Sequence, residues 1–249
     1  MLEKRFAQGL RFNTSYTWAR NINSAPVSAR CAENVSGSPT NAGNIYDLKG
    51  EKGLAGIHVA HNLILSYTYE LPFGNGRPWG SQWTGVVNGL FGGWMLNGSG
   101  TLRSGLPGTF GITPRQSRCV AQQCPERPDL KSGGNNNPIL ENWTPEQYWD
   151  PSQFTITPLG YFGNVGRSTL IQPGQFNMNL SLSKDNRLGE GKNLAFRAAF
   201  FNLLNRPNFG PSGTNVFRNA AGDLANDVGR ITTTSTKMRQ IQLGLKLTF

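Results

Sequence analysis

The feature that most constrains the fold is the alternation of apolar and polar residues in the last stretch of the chain, 237–249. From position 241 every odd residue is apolar, and these residues are Ile241, Leu243, Leu245, Leu247 and Phe249. Because successive side chains of a β-strand point to opposite faces, the alternation predicts a strand with one apolar face and one polar face. A soluble sheet can show the same pattern, so the rest of the chain must decide the class of protein.

Five other segments repeat the alternation, so the sequence predicts about six long strands. They cover approximately residues 6–18, 58–71, 94–104, 175–185 and 193–204. The first spans roughly 13 residues, which is long for a globular sheet, where about five or six are typical, and sufficient for a tilted membrane strand of about 9–11. No run approaches the roughly 18 apolar residues that a transmembrane helix requires.

The connections between these strands differ in length in a regular way. If the last strand ends on the periplasmic side, the long segments 22–56, 105–174 and 205–229 lie outside, and the shorter segments 72–92 and 186–192 lie inside. Long outer loops and short inner turns are typical of bacterial outer-membrane barrels. A structureless loop as long as 105–174 is uncommon in a compact soluble domain. Within it, Trp143, Tyr148 and Trp149 are predicted to form a small packed cluster.

The positions of the charged residues in the strands also agree with a membrane barrel. Three cations lie on the polar phase and are predicted to face a barrel lumen: Arg11, Arg103 and Arg197. A Lys or Arg on the lipid face would cost about 2–4 kcal/mol at the bilayer midplane and about 0–1 kcal/mol near the interface. The cations on the apolar phase lie near predicted strand ends, where water or headgroups can reach them: Lys184, Lys237 and Arg239.

Aromatic residues of the apolar phase are predicted near both ends of the strands, as in the interfacial belts of membrane barrels. Tyr16, Trp18 and Phe176 fall near outer ends, and Tyr67, Tyr69, Trp94 and Phe249 fall near inner ends. We therefore predict an all-β fold, an antiparallel transmembrane β-barrel segment with long extracellular loops, in the outer membrane of a Gram-negative bacterium. Six strands do not close a usual barrel, which begins at about eight, so the expected barrel is incomplete.

The formal net charge of +10 raises the alternative of nucleic-acid binding. Binders of this kind cluster Lys and Arg on one face or helix, whereas here no basic run is longer than the pair Lys4 and Arg5. A charged lumen, together with loops that face an anionic outer leaflet, explains the charge better. We predict no nucleic-acid partner, and the main alternative is a soluble or surface β-rich adhesin or binding module.

No group of residues predicts catalysis, a cofactor or a metal. His58 and His61 are three apart, so on one strand they would point to opposite faces. Residues 189–192 lack the spacing and hydroxyl of a phosphate-binding loop, and no nucleophile motif occurs. We therefore expect no enzymatic activity. Cys119 and Cys124 are predicted to form a small loop disulfide rather than half of a zinc site, and Cys31 stands alone.

Several segments resemble the barrel C-termini of TonB-dependent outer-membrane receptors, specifically the Oar-like group that carries a carboxypeptidase-regulatory-like domain. They read RFAQGLRFNTSYTWARN, HVAHNLILSYTYELPFG, YFGNVGR, FRAAFFNLLNRPNFG and GRITTTSTKMRQIQLGLKLTF. The segment 200–210 is the most specific, and the terminal aromatic residue with its alternating apolar set, Ile241 to Phe249, resembles the signal that the barrel-assembly machinery binds.

The resemblance implies a barrel of about 22 strands with an N-terminal plug and a TonB box, which imports a solute with energy from the inner membrane. The chain would form the C-terminal part of such a barrel, because no signal peptide, plug or TonB box is recognisable in it. The expected partners are outer-membrane lipid and lipopolysaccharide, the barrel-assembly machinery, the N-terminal barrel and plug, and an unknown solute. TonB is expected to bind only through the N-terminal part.

Overall fold

The structure is a computed structural model, and it describes residues 2–7, 9–24, 42–44, 47–117 and 126–249. Its main element is a seven-stranded antiparallel sheet in which each strand pairs with the next one along the chain. The strands are β1 (Leu2–Ala7), β2 (Leu10–Trp18), β3 (His61–Glu70), β4 (Trp94–Arg103), β5 (Gln175–Gly189), β6 (Lys192–Phe201) and β7 (Gln240–Thr248).

The pairing register gathers the apolar residues on one face. Leu182 of β5 lies opposite Leu96 of β4 and Ala198 of β6, whereas its neighbour Ser181 lies opposite Asn97 and Ala199. Because directly opposite residues share a face, the alternation within each strand becomes a continuous apolar face and a continuous polar face. The large antiparallel sheet confirms the predicted all-β fold class.

The predicted boundaries of the first strand are wrong. The segment 6–18 contains the end of β1, a turn at Gly9 and the whole of β2. Gly9 has a φ of +79°, and a Cβ there would lie 3.0 Å from the backbone oxygen of Glu70, so the turn requires glycine. The alternation conceals the turn because glycine falls on the phase of small and polar residues.

The sheet has two edges, formed by β1 and β7, and it does not close within the described part of the chain. The apolar residues of β7 are more than half exposed, with values of 57% for Ile241, 72% for Leu243, 70% for Leu245 and 54% for Leu247. Phe249 follows the strand and is 93% exposed. An edge strand carries unpaired backbone groups that can bind another strand.

The connections carry shorter elements. The turn between β3 and β4 contains helix α1 (Gly85–Phe91), which the alternation did not predict, and a 3₁₀ helix covers Pro151–Gln153. Short strands pair within the loops: Ile22–Asn23, Gly53–Leu54, Pro107–Gly108, Gly111–Ile112, Asp129–Leu130, Ile139–Thr144, Gln147–Trp149, Phe154–Thr155, Leu170–Ile171 and Asn215–Phe217. Among the helices in the described ranges, none has the length and apolar character needed to cross a membrane.

The long loops share one end of the sheet, and they pack into a compact body that we call the cap, defined as the described residues of 19–60, 104–174 and 202–239. Its hydrophobic core consists of Phe110, Ile112, Tyr148, Trp149, Phe154, Val165, Leu170, Val216, Phe217 and Ile231. The opposite end, which we call the turn end, carries the connections at Gly9, 71–93 and 190–191. The cap is therefore an ordered structure with its own core, and not a set of separate loops.

Candidate functional site: the polar face and the cap

The polar face of the sheet consists mainly of short side chains that bind one another. The hydroxyl of Thr68 donates to Asn97 Oδ1 at 2.9 Å, and Arg197 Nε donates to Ser181 Oγ at 3.1 Å. These pairs connect neighbouring strands, so the face is hydrophilic and held in register by side chains as well as by the backbone. Such a face is suited to contact with water or with a polar solute.

The three predicted lumen cations all lie on this polar face, but at different heights. Arg11 lies near the turn end opposite Thr68, Arg197 lies within β6 opposite Ser183, and Arg103 is the last residue of β4 beside the cap. They are not brought together into one binding site. Arg11 borders a shallow cleft of about 340 Å³ that is lined by Asn13, Ser66, Tyr67, Thr68, Asn97 and Gly98.

A larger cleft of about 420 Å³ lies where β4 and β5 meet the cap. Its lining combines two cations with aromatic rings: Arg103, Arg206, Trp143, Phe176 and Phe209. The guanidinium carbon of Arg206 lies 5.7 Å from the centroid of the Phe176 ring, within the range of a cation–π contact. The sequence did not predict this cleft, because its residues come from four separate segments.

A comparison with known families agrees with this geometry. The profile of a family described as an outer membrane beta barrel domain matches residues 1–242. The chain belongs to this outer membrane β-barrel family. Membership implies outer-membrane localisation and favours the membrane interpretation over a soluble module. Comparisons with curated proteins and with solved structures gave no significant match.

In an outer membrane β-barrel, the apolar face contacts lipid and the polar face lines the interior. Lys237 and Arg239 fit this arrangement because both precede β7 and lie in the cap. The prediction that Lys184 lies near a strand end is wrong, because β5 continues to Gly189. Lys184 is instead only 4% exposed, and its Nζ donates to the backbone oxygens of Asn88, at 3.1 Å, and Gly92.

The core of the cap of this barrel domain is built on aromatic residues. Trp149 is fully buried, and its ring packs against Phe110 at 4.8 Å and Phe154 at 5.8 Å between centroids. Trp143 packs edge-on against Tyr148 at 5.0 Å. The predicted cluster of Trp143, Tyr148 and Trp149 is therefore confirmed as part of a larger core. Since Trp149 Nε1 donates to the Gly213 oxygen at 3.1 Å, the ring also joins two loops.

The first loop is tied to the second by four buried or half-buried residues, Asn23, Glu51, Arg127 and Arg167, which we call the clasp. Glu51 is 1% exposed, and its carboxylate accepts hydrogen bonds from Arg127 Nη2 at 2.6 Å and from Arg127 Nη1 at 3.3 Å. Arg167 Nε donates to the Glu51 backbone oxygen at 2.9 Å, and its Nη2 donates to Asn23 O at 2.8 Å and to Asn23 Oδ1. The clasp therefore contains a forked ion pair shielded from water.

The other candidate residues stay apart. His58 Nδ1 accepts a hydrogen bond from the Asn21 amide at 3.2 Å, and His61 Nδ1 pairs with the Tyr16 hydroxyl at 2.8 Å. Burial, and to a lesser degree the charge of Arg20, lowers the pKa of His58. Where the structure describes the chain, no three His, Cys, Asp or Glu residues are grouped as metal ligands. Cys31, Cys119 and Cys124 lie outside the described residues, so the disulfide stays a prediction.

The buried hydroxyl of Tyr148 predicts an alkaline transition of the cap. This hydroxyl donates to the Ile171 oxygen at 2.8 Å, and burial raises the pKa of Tyr148 from 10.0 to about 12. Because the unfolded chain loses this proton first, the stabilisation is complete below about pH 10 and decreases by up to about 2–3 kcal/mol as pH rises towards 12. The measurement is the cap's thermal midpoint by near-ultraviolet circular dichroism across this range.

The matched control for this measurement is Tyr148→Phe, which keeps the ring and removes the ionisable hydroxyl. Its midpoint is expected to be lower at neutral pH, because the Ile171 oxygen loses its donor, and to fall less steeply in alkali. Equal slopes in the two proteins would contradict the role of Tyr148.

Proposed function

We propose that the chain forms wall and extracellular loops of a TonB-dependent outer-membrane receptor that imports a solute into a Gram-negative bacterium. The observation that carries this proposal is the combination of a polar, hydrogen-bonded face with a densely packed cap at one end of it. A packed cap offers a preorganised surface on which a ligand can be bound at low entropic cost, and the polar face offers a hydrophilic path. The resemblance of 196–210 and 229–249 to these receptors supports the same role.

The charges of the polar face favour a solute with anionic groups. Arg11, Arg103 and Arg197 occur along the height of the face, and the chain has a formal net charge of +10. Cations along a passage with low-dielectric walls raise the local concentration of anions. In this account the ligand first contacts the cap and Arg103 at the cap end of the polar face, and it then passes Arg197 and Arg11.

The sheet edges define the partners in this proposal. Unpaired backbone groups of β1 and β7 would cost several kcal/mol each in lipid, so both edges pair with further strands of a larger barrel. TonB acts through the plug of that barrel, and the assembly machinery inserts it beside lipopolysaccharide. The role is transport and not enzymatic catalysis.

A second candidate is surface adhesion, because the cap alone could bind a macromolecule without any transport. The two candidates differ in their need for energy. We expect that deleting the gene changes the accumulation of a nutrient only in cells that contain TonB, and that it has no additional effect in cells that lack TonB. A deletion phenotype that persists without TonB, or that is confined to attachment, would contradict transport and favour adhesion.

The alternating set that ends at Phe249 is predicted to be required for assembly. Replacing Phe249, which is 93% exposed, with aspartate should strongly lower the amount of protein in the outer membrane, because a charge replaces the aromatic ring of the predicted signal. Quantitative immunoblotting of membrane fractions measures the effect. Thr248→Asp is the matched control, since it lies on the polar phase of the same strand. Equal membrane levels of the Phe249 variant and the unmodified protein would overturn the prediction.

A further inference from the structure

We propose that helix α1 is an interfacial anchor that lies among the phospholipid headgroups of the periplasmic leaflet of the outer membrane. The inference concerns a surface outside the polar face and the cap, and it rests on the membrane orientation in the proposed function. It follows from where the helix packs, which side chains it exposes and how its polar groups are bound.

The helix packs on the side of the sheet that faces lipid. Trp94 and Lys184 are paired residues of β4 and β5 on the apolar face. Trp94 Nε1 donates to the Leu90 oxygen at 2.9 Å, and Lys184 Nζ donates to the Asn88 oxygen at 3.1 Å. Since both contacts come from the apolar face, α1 lies outside the barrel wall and at the turn end.

The helix exposes apolar side chains instead of burying them. The exposed fractions are 77% for Val86, 47% for Val87, 59% for Leu90 and 59% for Phe91, and no residue of α1 is buried. No charged residue occurs in 85–91. Contact of apolar surface with water is unfavourable, so a helix with this composition gains free energy from an apolar cover. The exposed apolar surface of α1 adjoins the lipid-facing side of the sheet, so the same bilayer can cover both.

The polar groups at the end of the helix are bound within the protein. Lys184 Nζ also donates to the Gly92 oxygen, and its charge lies at the negative end of the helix dipole. The side-chain oxygen of Asn88 accepts the Asn75 amide at 2.8 Å, and the Gly92 amide donates to the Asn88 backbone oxygen at 3.0 Å. Backbone groups in an apolar environment require such partners. The ammonium group of Lys184 on the lipid face therefore has carbonyl oxygens of α1 and of the residue after it as hydrogen-bond acceptors.

Aromatic rings flank the helix as they do in interfacial belts. Trp83 packs edge-on against Phe91 at 6.2 Å, and Lys184 Nζ lies 5.4 Å from the centroid of the Trp94 ring. Tryptophan is enriched at the level of the headgroups, where one part of the ring is apolar and the N–H is hydrated. These rings favour a shallow position in the leaflet over one near the bilayer centre.

The test is the depth of a fluorophore on α1. In the complete barrel of the proposed function, with all cysteines replaced by serine, Leu90→Cys is labelled with an environment-sensitive dye, and the protein is purified and reconstituted in phosphatidylethanolamine–phosphatidylglycerol vesicles. Leu180→Cys, on the apolar face of β5, is the control within the membrane, and Glu190→Cys, in the turn between β5 and β6, is the aqueous control. Quenching is measured with aqueous iodide and with nitroxide lipids of shallow and deep position.

The expected result is that the Leu90 dye is quenched at least about twofold more by the shallow nitroxide than by the deep one, and about twofold less by iodide than the Glu190 dye. If Leu180 is quenched by lipid while Leu90 behaves like Glu190, the helix lies in water and the proposal is wrong. Protection of Leu90 from both kinds of quencher would show a protein partner instead. If Leu180 is itself quenched by iodide, the membrane orientation fails, and the proposed function fails with the anchor.

Discussion

Replacing Trp149 with alanine is expected to unfold the cap while the seven-stranded sheet stays intact. The ring is fully buried between Phe110 and Phe154, and its Nε1 binds the Gly213 oxygen. Removing a large buried aromatic side chain costs about 3–5 kcal/mol, because it loses both transfer free energy and packing contacts. This loss is a large fraction of the stability of a small domain, which is about 5–15 kcal/mol. The sheet is expected to stay folded because Trp149 contacts residues of the cap and takes no part in the pairing of the seven strands.

Limited proteolysis of intact outer membranes measures this effect. A protease added outside should cleave the cap of the Trp149→Ala protein much faster than that of the unmodified protein, while both keep the heat-modifiable gel migration of a folded barrel. The matched control is Leu159→Ala in the same loop, since Leu159 is 80% exposed and its removal leaves no cavity. Equal cleavage rates in all three proteins would contradict a cap core centred on Trp149.

Replacing Glu51 with alanine is expected to release the first loop from the second. The carboxylate binds both terminal nitrogens of Arg127 and also the Gly43 amide, at 3.1 Å. Without it, the Arg127 charge, whose side chain is only 11% exposed, loses its partner in the structure. Breaking a buried ion pair by removing one partner costs about 3–5 kcal/mol. Amide-hydrogen exchange measures the release, as faster exchange in the peptide that covers 47–58.

A double variant separates the lost charge partner from the lost contacts. Glu51→Met combined with Arg127→Met replaces the pair by apolar side chains of similar length, which is often neutral or stabilising. We expect slower exchange than in Glu51→Ala, although the Gly43 amide still lacks its acceptor. If the double variant exchanges as fast as Glu51→Ala, the uncompensated charge is not the cause.

The strands of the sheet are predictable because the alternation of apolar and polar residues lies within each segment. It indicates which face of the strand contacts lipid. Within the predicted segments, the predicted faces of β3 to β7 agree with the pairing register, as shown by Leu63 opposite Leu102 and Leu243 opposite Ala198. The connection predicted at 186–192 is shorter, because β5 continues to Gly189 and β6 begins at Lys192. The turn at Gly9 was missed because one glycine does not interrupt a period of two. Helix α1 was missed because GVVNGLF contains two glycines and two valines, which are poor helix formers.

The cap could not be predicted because its contacts join residues that are far apart in the chain. Phe110 packs on Trp149, and Arg167 binds Asn23 across 144 positions. These residues show no periodic pattern in the sequence, because they lie in irregular segments. They come together only when the sheet folds. Aromatic residues in otherwise polar loops were the available sign, and they correctly indicated the cluster at 143–149.

The central claim is that alternate residues of each strand face lipid and the barrel interior. Spin labels at successive positions 178–183 of β5, one at a time in the cysteine-free protein, test it most directly. The account predicts that labels at Met178, Leu180 and Leu182 collide mainly with oxygen dissolved in lipid, and labels at Asn179, Ser181 and Ser183 mainly with a water-soluble nickel chelate. Equal access of the nickel chelate to both sets, or a period other than two, would contradict it.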